Sequence, residues 1–395
     1  MDGDGGDRTA DQAGATLRLR VAGGVSAIDA ASWDACAGAD NPFVSHAFFS
    51  ALELSGSACA ATGWLPLHLV AEDVNGAVAG IAPCYLKSHS MGEYVFDHGW
   101  ARAFEQAGGS YYPKLQACVP FTPVTGPRLL ARPGPEAQET RRALARGLVA
   151  LRGRAGASSV HVTFPTAEDW RLLGGNGYLQ RRDRQYHWFN EGYASFDDFL
   201  QALSSSRRKT IRRERREAVK DGLVIERLSG AEISEEAWDA FFAFYQDTGS
   251  RKWGRPYLTR DFYRRVAETM ADRVLLVMAR RAGRYVAGAI NFIGADALYG
   301  RHWGCIEDHP FLHFEICYYQ AIDYAIGAGL ARVEAGAQGE HKLARGYRPV
   351  ETRSAHAIAH PGLRRAVAAF LEEESRHIDA LLPEMEALLP FRRSG

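Results

Sequence analysis

The stretch Leu275-Leu276-Val277-Met278-Ala279-Arg280-Arg281-Ala282-Gly283-Arg284-Tyr285-Val286-Ala287-Gly288-Ala289-Ile290 holds two apolar runs around a polar, glycine-bearing turn, the pattern of a β-hairpin. Leu69-Val70-Ala71-Glu72-Asp73-Val74-Asn75-Gly76-Ala77-Val78-Ala79-Gly80-Ile81-Ala82 reads the same way, with Asn75-Gly76 as the tight turn. Both carry Val-Ala-Gly after the turn. Each is followed by a short strand expected to end in an aromatic cluster. The clusters are Phe96-Asp97-His98-Gly99-Trp100 and Tyr299-Gly300-Arg301-His302-Trp303-Gly304.

The correspondence continues downstream. Helix-period segments near 137–152 and 313–328 lead to short β-rich runs at 159–164 and 332–336. Gly177-Tyr178 then precedes His187, and Gly346-Tyr347 precedes His356 at the same spacing. Four matching features in one order indicate a duplication. Each copy reads as strands and hairpins, a helix, a strand and a final hairpin-like strand pair. The fold class expected is α/β with mixed (α+β) sheets, helices packed on their faces. The expected organisation is a disordered tail over 1–15, a first lobe over 16–195 and a second over 196–395, the last including a basic helix at 205–221.

Composition bounds the function. The chain has 395 residues, 47 Lys and Arg against 47 Asp and Glu, so its surface as a whole is not built to coat nucleic acid or an anionic membrane. Hydrophobic residues at 46% exclude wholesale disorder. Six scattered cysteines form no CxxC pair and no disulfide framework. Without an apolar leader or a membrane-length apolar run, a reducing cytoplasmic location is expected. Neither a GxGxxG after a strand nor a GxxxxGK[ST] occurs, so nucleotide binding by those loops has no support.

Residues 207–220, from Arg207 to Lys220, hold eight Lys and Arg against two Glu. Ser204-Ser205-Ser206 are candidate N-caps and Asp221-Gly222 a helix stop. One reading is a solvated face laced with Glu–Arg pairs. The other is an anion site for phosphates or an RNA backbone. No aromatic residues interleave to stack bases.

Most candidate chemistry falls between 299 and 347. His313-Phe314-Glu315-Ile316-Cys317-Tyr318-Tyr319-Gln320 opens a helix, and Glu315 in its first turn suits the macrodipole or a general base. Glu334-Ala335-Gly336-Ala337-Gln338-Gly339-Glu340-His341-Lys342-Leu343-Ala344-Arg345-Gly346-Tyr347 gathers glycines, carboxylates and bases directly after a core strand, where binding chemistry is usual. His302, Cys305, His309, His313 and Cys317 match no zinc spacing, so no metal is expected. His98 reads as a core histidine in preference to a site residue.

These residues resemble a known family, the bacterial group of predicted N-acyltransferases labelled peptidoglycan-biosynthesis-like. That group is related to the Fem-type aminoacyl transferases and has a GNAT-like fold. The resemblance covers about 40–390. It includes Asn41-Pro42-Phe43-Val44-Ser45-His46-Ala47-Phe48, Tyr111-Tyr112-Pro113-Lys114-Leu115 and Arg251-Lys252-Trp253-Gly254-Arg255-Pro256-Tyr257-Leu258-Thr259. Its most specific parts are the 313–320 and 334–342 segments quoted above. It implies two tandem GNAT-like lobes and transfer of an acyl group from a thioester or ester donor to an amine acceptor. Relatives use aminoacyl-tRNA with a cell-wall precursor, or acetyl-CoA. The [RQ]-x-x-G-x-[GA] loop of acetyl-CoA enzymes is absent, residues 305–312 standing in its place.

On this reading Glu315 or His341 is the base and Tyr318 protonates the leaving group. Backbone N–H groups beside the strand ending at Trp303 stabilise the oxyanion. His302, Trp303, His313, Glu334, Gln338 and Glu340 contact substrate, while Lys342 and Arg345 hold phosphate or carboxylate. No permanently bound cofactor is expected; acyl-CoA is a candidate donor substrate. The alternative is a non-catalytic protein that retains the fold and binds a small molecule or peptide.

Overall fold

A computed structural model describes residues 17–253, 256–336 and 339–392. The expected tail over 1–15 and the candidate Gln338 lie outside them. The first copy runs β1 (Arg18–Ala22), α1 (Ala30–Ala37), α2 (His46–Leu54), β2 (Trp64–Pro66), β3 (His68–Glu72), β4 (Val78–Ala82), β5 (Cys84–Lys87), α3 (His98–Gln106), β6 (Lys114–Ala117), β7 (Leu130–Ala131), α4 (Ala137–Arg154), β8 (Ser159–Thr163), α5 (Ala167–Gly175) and β9 (Leu179–Phe189). The second runs α6 (Phe196–Ala202), α7 (Ser205–Ala218), β10 (Leu223–Ser229), α8 (Glu235–Trp253), α9 (Arg260–Met270), β11 (Val274–Arg281), β12 (Arg284–Ile293) and β13 (Ala297–Cys305). It continues through α10 (Leu312–Phe314), a π-helical turn (Glu315–Tyr319), α11 (Gln320–Gly327), β14 (Arg332–Glu334), a 3-10 turn (Glu340–Arg345), β15 (Arg348–Ile358) and α12 (Pro361–Ala387).

Both hairpins form. β3 pairs with β4, and β11 with β12, antiparallel in each case. β11 is buried from Val274 to Ala279, which its unbroken apolar run requires of a central strand. In the first copy the hairpin is broken in mid-course. Leu67 separates β2 from β3, and Pro83, which has no N–H for a ladder, separates β4 from β5. The two halves then join different sheets: a four-stranded sheet ordered β1-β3-β4-β7 and an eleven-stranded sheet ordered β10-β11-β12-β13-β14-β9-β15-β8-β6-β5-β2.

The long sheet shows why the final elements differ from expectation. β9 and β15 are single long strands, not hairpin-like pairs. β9 leaves the first copy and pairs with β14 of the second, while β15 returns to pair with β8 of the first. Between them β9 and β15 are antiparallel from Arg348↔His187 to His356↔Leu179. The two lobes therefore exchange their last strands and share one sheet. Helices cover both lobes; α4 buries the stripe Leu144, Leu148 and Leu151 against the first. α8 lies so close on β13 that a Cβ at Gly304 would stand 2.2 Å from the Phe244 carbonyl oxygen.

Three local expectations are corrected. The Phe96–Trp100 cluster does not end a strand: Asp97 caps α3, which starts at His98. His98 is exposed, so it is not a core histidine. The basic helix ends at Ala218, before Asp221 and Gly222, whose φ values of 61° and 75° make the turn that follows. No helix among the described residues is long and apolar enough to cross a membrane.

Candidate active site

β13 and β14 are parallel neighbours over Ala297↔Arg332, Leu298↔Val333 and Tyr299↔Glu334 only. Beyond that point β13 runs on to Cys305 without β14, and the wedge is roofed by α10 and the π-helical turn. A cavity of about 110 Å³ opens there, lined by His302, Trp303, His313, Cys317, Tyr318 and Ala335 among others. The extra residue of a π-turn bulges the helix, a device frequent at functional sites. Here Tyr318, buried like Glu315, Ile316 and Tyr319 of the same turn, stands on the cavity wall.

The corresponding opening in the first lobe is filled. β6 and β8 are parallel over Leu115↔Val160, Gln116↔His161 and Ala117↔Val162, as β13 and β14 are. Past their ends lies the fully buried Arg128, donating from Nε to the Thr163 carbonyl at 2.9 Å and from Nη2 to the Val124 carbonyl at 2.6 Å. Gly126 bridges Pro165 beside it.

In the second lobe the candidate residues converge around Tyr318. Its hydroxyl is 2.9 Å from His341 Nε2. The His313 ring meets Trp303 edge-on at 5.2 Å and Tyr318 at 5.4 Å. Burial raises the Tyr318 pKa, so the hydroxyl keeps its proton at neutral pH. His341 is exposed at the edge of this group; partial desolvation, then Arg345 and Lys342, push its pKa below the ordinary histidine value. It is a neutral base at pH 7. His302 sits 4.9 Å from the Tyr245 ring, and burial with Arg301 beside it keeps it neutral.

Lys342 is 2% exposed and donates to the Gly336 carbonyl at 3.0 Å. Burial brings its pKa down to about 8. Arg345 is buried as well. It binds the Glu214 carboxylate at 3.0 Å, donates to the His341 carbonyl at 2.9 Å and lies 3.4 Å over the Phe314 ring. It is thus a structural cation.

Glu315 stands apart from the cavities. Its carboxylate accepts from Arg215 at 3.0 Å and Gln320 at 2.7 Å, which ties α7 to the π-turn. Glu334 is also held, by Arg332 at 3.0 Å and near His187 of β9 at 3.7 Å. Glu340 lines a second cavity of about 310 Å³ between the lobes, with Tyr94, Phe96, Arg181, Gln185 and Gly339. One hydrogen bond links the walls of the two cavities: Arg301 lines the smaller one and bonds Tyr94 of the larger, while Ala335 lines the smaller and Gly339 and Glu340 the larger.

Tyr94 escapes sequence reasoning because it sits in no patterned segment, and Arg301 because the cluster that holds it, 299–304, drew notice for its His and Trp; the tertiary approach of two lobes joins them. Glu214 left a signal. Within the basic run, Ile211, Glu214 and Ala218 recur at helical spacing, and these three are the buried stripe of α7.

The chain matches the family model FemAB-like, described as peptidoglycan biosynthesis/recognition, over residues 24–393. Among solved structures it is similar to the crystal structure of FemX at 12% identity and a TM-score of 0.54, covering 86% of this chain and 98% of that one. The C-terminal domain of a putative lysylphosphatidylglycerol synthetase from Agrobacterium fabrum is similar at 10% identity and a TM-score of 0.50, over 86% and 94% of the two chains. A conserved protein of unknown function from Bacteroides thetaiotaomicron is similar at 11% identity and a TM-score of 0.50, over 87% and 100%. No curated protein sequence matches. The likenesses carry the fold alone, a mixed α/β chain covered almost end to end by each match.

Proposed function

The chain belongs to the FemAB-like family of acyl- and aminoacyl-transferring enzymes, and from that premise we propose that it moves an acyl or aminoacyl group from an activated ester or thioester to an amine at the second-lobe cavity. The observation that carries this reading is the Tyr318–His341 hydrogen bond of 2.9 Å at the cavity's edge. The pair supplies an acid and a base in contact, which amine acylation needs.

In this mechanism neutral His341 donates its Nε2–H to the Tyr318 oxygen and keeps Nδ1 open. The amine nitrogen attacks the donor carbonyl and its proton passes to Nδ1. As the carbon–oxygen or carbon–sulfur bond breaks, Tyr318 gives its hydroxyl proton to the leaving atom. His341 Nε2–H then refills the tyrosine, leaving the imidazole protonated on Nδ1; exchange with solvent restores the Nε2–H form before the next turnover, and the net movement is one proton from amine to leaving group. Lys342, with its pKa brought to about 8, is protonated at neutral pH and offers a buried positive charge to the developing oxyanion or to a donor phosphate. Holding donor and acceptor in two cavities whose walls the Arg301–Tyr94 contact links supplies much of the rate enhancement by proximity.

The larger inter-lobe cavity suits the acceptor, with the exposed Glu340 carboxylate as an anchor for its amine. The family's peptidoglycan description favours an amine on a cell-wall peptide. The exposed basic residues of α7 offer contacts for a phosphate-bearing donor, and the missing acyl-CoA loop favours an ester donor over acetyl-CoA.

The test is a radiolabel transfer assay. Acetyl-CoA, longer acyl-CoAs and mixed aminoacyl-tRNAs are offered as donors, and hydroxylamine and a lysine-containing peptide as acceptors. Transfer from one donor class that His341→Ala and Tyr318→Phe abolish without unfolding is the expected result. Binding of a donor or peptide without any transfer would overturn the proposal and leave the non-catalytic binding protein.

A further inference from the structure

α7 approaches the candidate site with one buried acidic side chain. Glu214 is 6% exposed, and its carboxylate makes two kinds of contact. Both oxygens accept from Arg345 Nη2 at 3.0 Å, and one also accepts the Tyr319 hydroxyl. Tyr319 is the neighbour of Tyr318 in the π-turn. Arg345 in turn donates from Nη1 to the backbone carbonyl of His341 at 2.9 Å. Its guanidinium covers Phe314, whose ring faces both Tyr318, at 6.2 Å, and His341, at 5.7 Å.

One carboxylate thus grips both segments that carry the acid–base pair: the π-turn through Tyr319 and the 3-10 turn through Arg345. The π-turn interrupts the regular hydrogen-bond ladder of its helix, and the 3-10 turn is a short element on the loop after β14, so a side-chain tie adds to what each backbone holds by itself. Charge-assisted hydrogen bonds are the stronger kind, and here one Arg345 nitrogen holds the carboxylate while the other holds the His341 carbonyl.

We propose that Glu214 is a positioning residue for the Tyr318–His341 pair, acting through Arg345 and Tyr319 and touching no substrate. This rests on the acid–base role given to that pair above. It assigns a function to the buried face of the basic helix, whose outer face is the part that meets solvent. Because one carboxylate serves both Arg345 and Tyr319, an aspartate in place of Glu214 is too short to reach both partners, and a glutamine lacks the charge that holds Arg345. Glu214→Asp and Glu214→Gln should therefore both loosen the pair.

The test uses the full chain labelled with nitrogen-15 histidine, so that it needs no substrate. The His341 imidazole signals are identified by their loss in His341→Ala. In the wild type they should report one hydrogen-bonded tautomer. In Glu214→Gln they should move toward the average of the two tautomers, and in Arg345→Lys, which keeps the charge but loses the second nitrogen that holds the His341 carbonyl, likewise. His341 signals unchanged in both variants would overturn the proposal. Should Glu214→Gln fail to fold, Arg345→Lys and Tyr319→Phe carry the measurement.

Kinetics separate this inference from the functional reading beneath it. Glu214→Gln is expected to lower kcat about 30-fold with KM within threefold, and to add less than twofold in a His341→Ala background, since residues that act as a unit are not additive. Full activity in His341→Ala would overturn the acid–base reading itself. A damaged His341→Ala beside an intact Glu214→Gln, or a further full loss in the double variant, would overturn the positioning role alone.

Discussion

The Tyr318 hydroxyl and His341 Nε2 are 2.9 Å apart, although one stands on a helix roofing a split pair of strands and the other on the turn after the second of those strands. General acid–base catalysis by such a pair contributes about 10²–10⁴ in rate. Tyr318→Phe and His341→Ala should each lower kcat by roughly 10²-fold or more while leaving the far-UV circular dichroism unchanged. Desolvation and the neighbouring cations depress the His341 pKa, so its base form persists below the ordinary histidine range. The acid limb of a kcat/KM–pH profile should therefore fall at lower pH than about 6.5, and should vanish in His341→Ala.

Lys342 sets activity against stability. Its folded pKa of about 8 lies below the unfolded lysine value of about 10.4, so between those values the unfolded chain binds the extra proton. The group's contribution to stability consequently rises with pH from about 8 to about 10, and at pH 7 the buried charge costs roughly 3 kcal/mol. Lys342→Met should be more stable at pH 7 by about 1–3 kcal/mol in urea titrations and should lose most transfer activity. A variant that is less stable at pH 7 would show that contacts of the ammonium outweigh its desolvation.

The first lobe holds the loop bearing Tyr94 by buried charge. Lys114 donates to Ser90 and Glu93, at 2.7 Å each, and to Asp97; Lys87 lies 3.6 Å from Glu93 and donates to the Met91 carbonyl at 2.9 Å. Burial would raise the Asp97 pKa, but Lys114 and His161 outweigh it and hold the carboxyl below its ordinary value, while burial pushes Glu93 up. A depressed carboxylate stabilises the fold above about pH 4, and that contribution is lost as acid protonates it. Lys114→Met should destabilise by about 3–5 kcal/mol at pH 7, and that deficit should shrink as acid protonates Asp97, because the variant no longer has the depressed carboxylate to lose. Both are read from the far-UV circular dichroism signal.

Strand exchange makes the lobes interdependent. Without the second copy, β9 loses β14 and β15, and β8 loses β15. Residues 17–195 expressed alone should show no cooperative thermal transition, whereas the full chain should show one. A sharp, reversible transition in the fragment would contradict this.

The local parts of this architecture were legible before the structure. Asn75-Gly76 and Ala282-Gly283 mark real hairpin turns, and the 3.6-residue period near 137–152 and 313–328 falls on α4 and on the α10–α11 helix. Neighbour choice was not legible. Gly-Tyr before His187 and before His356 marks equivalent strands, but nothing near either one says that each crosses to the other copy. Pairing partners distant in sequence are chosen by the whole sheet. At the site, residue types were visible and their loyalties were not. Glu315 reads as a base until Arg215, a hundred residues upstream, is found on its carboxylate. Arg128 likewise carries no local sign that it closes the first lobe's cleft.

The exchange of β9 also imposes a wait during synthesis. Phe189 leaves the ribosome long before Arg332, the start of the strand that will flank it, and at usual elongation rates the interval is roughly ten to thirty seconds. For that time an eleven-residue strand has neither of its partners. Its composition suits the delay: Arg181, Arg182, Asp183 and Arg184 put four consecutive charges in its first half, the kind of sequence that discourages unpaired strands from joining other chains. Replacing those charges would leave a ribosome-bound intermediate far more prone to aggregate than the finished protein, a penalty felt in yield and not in the melting temperature.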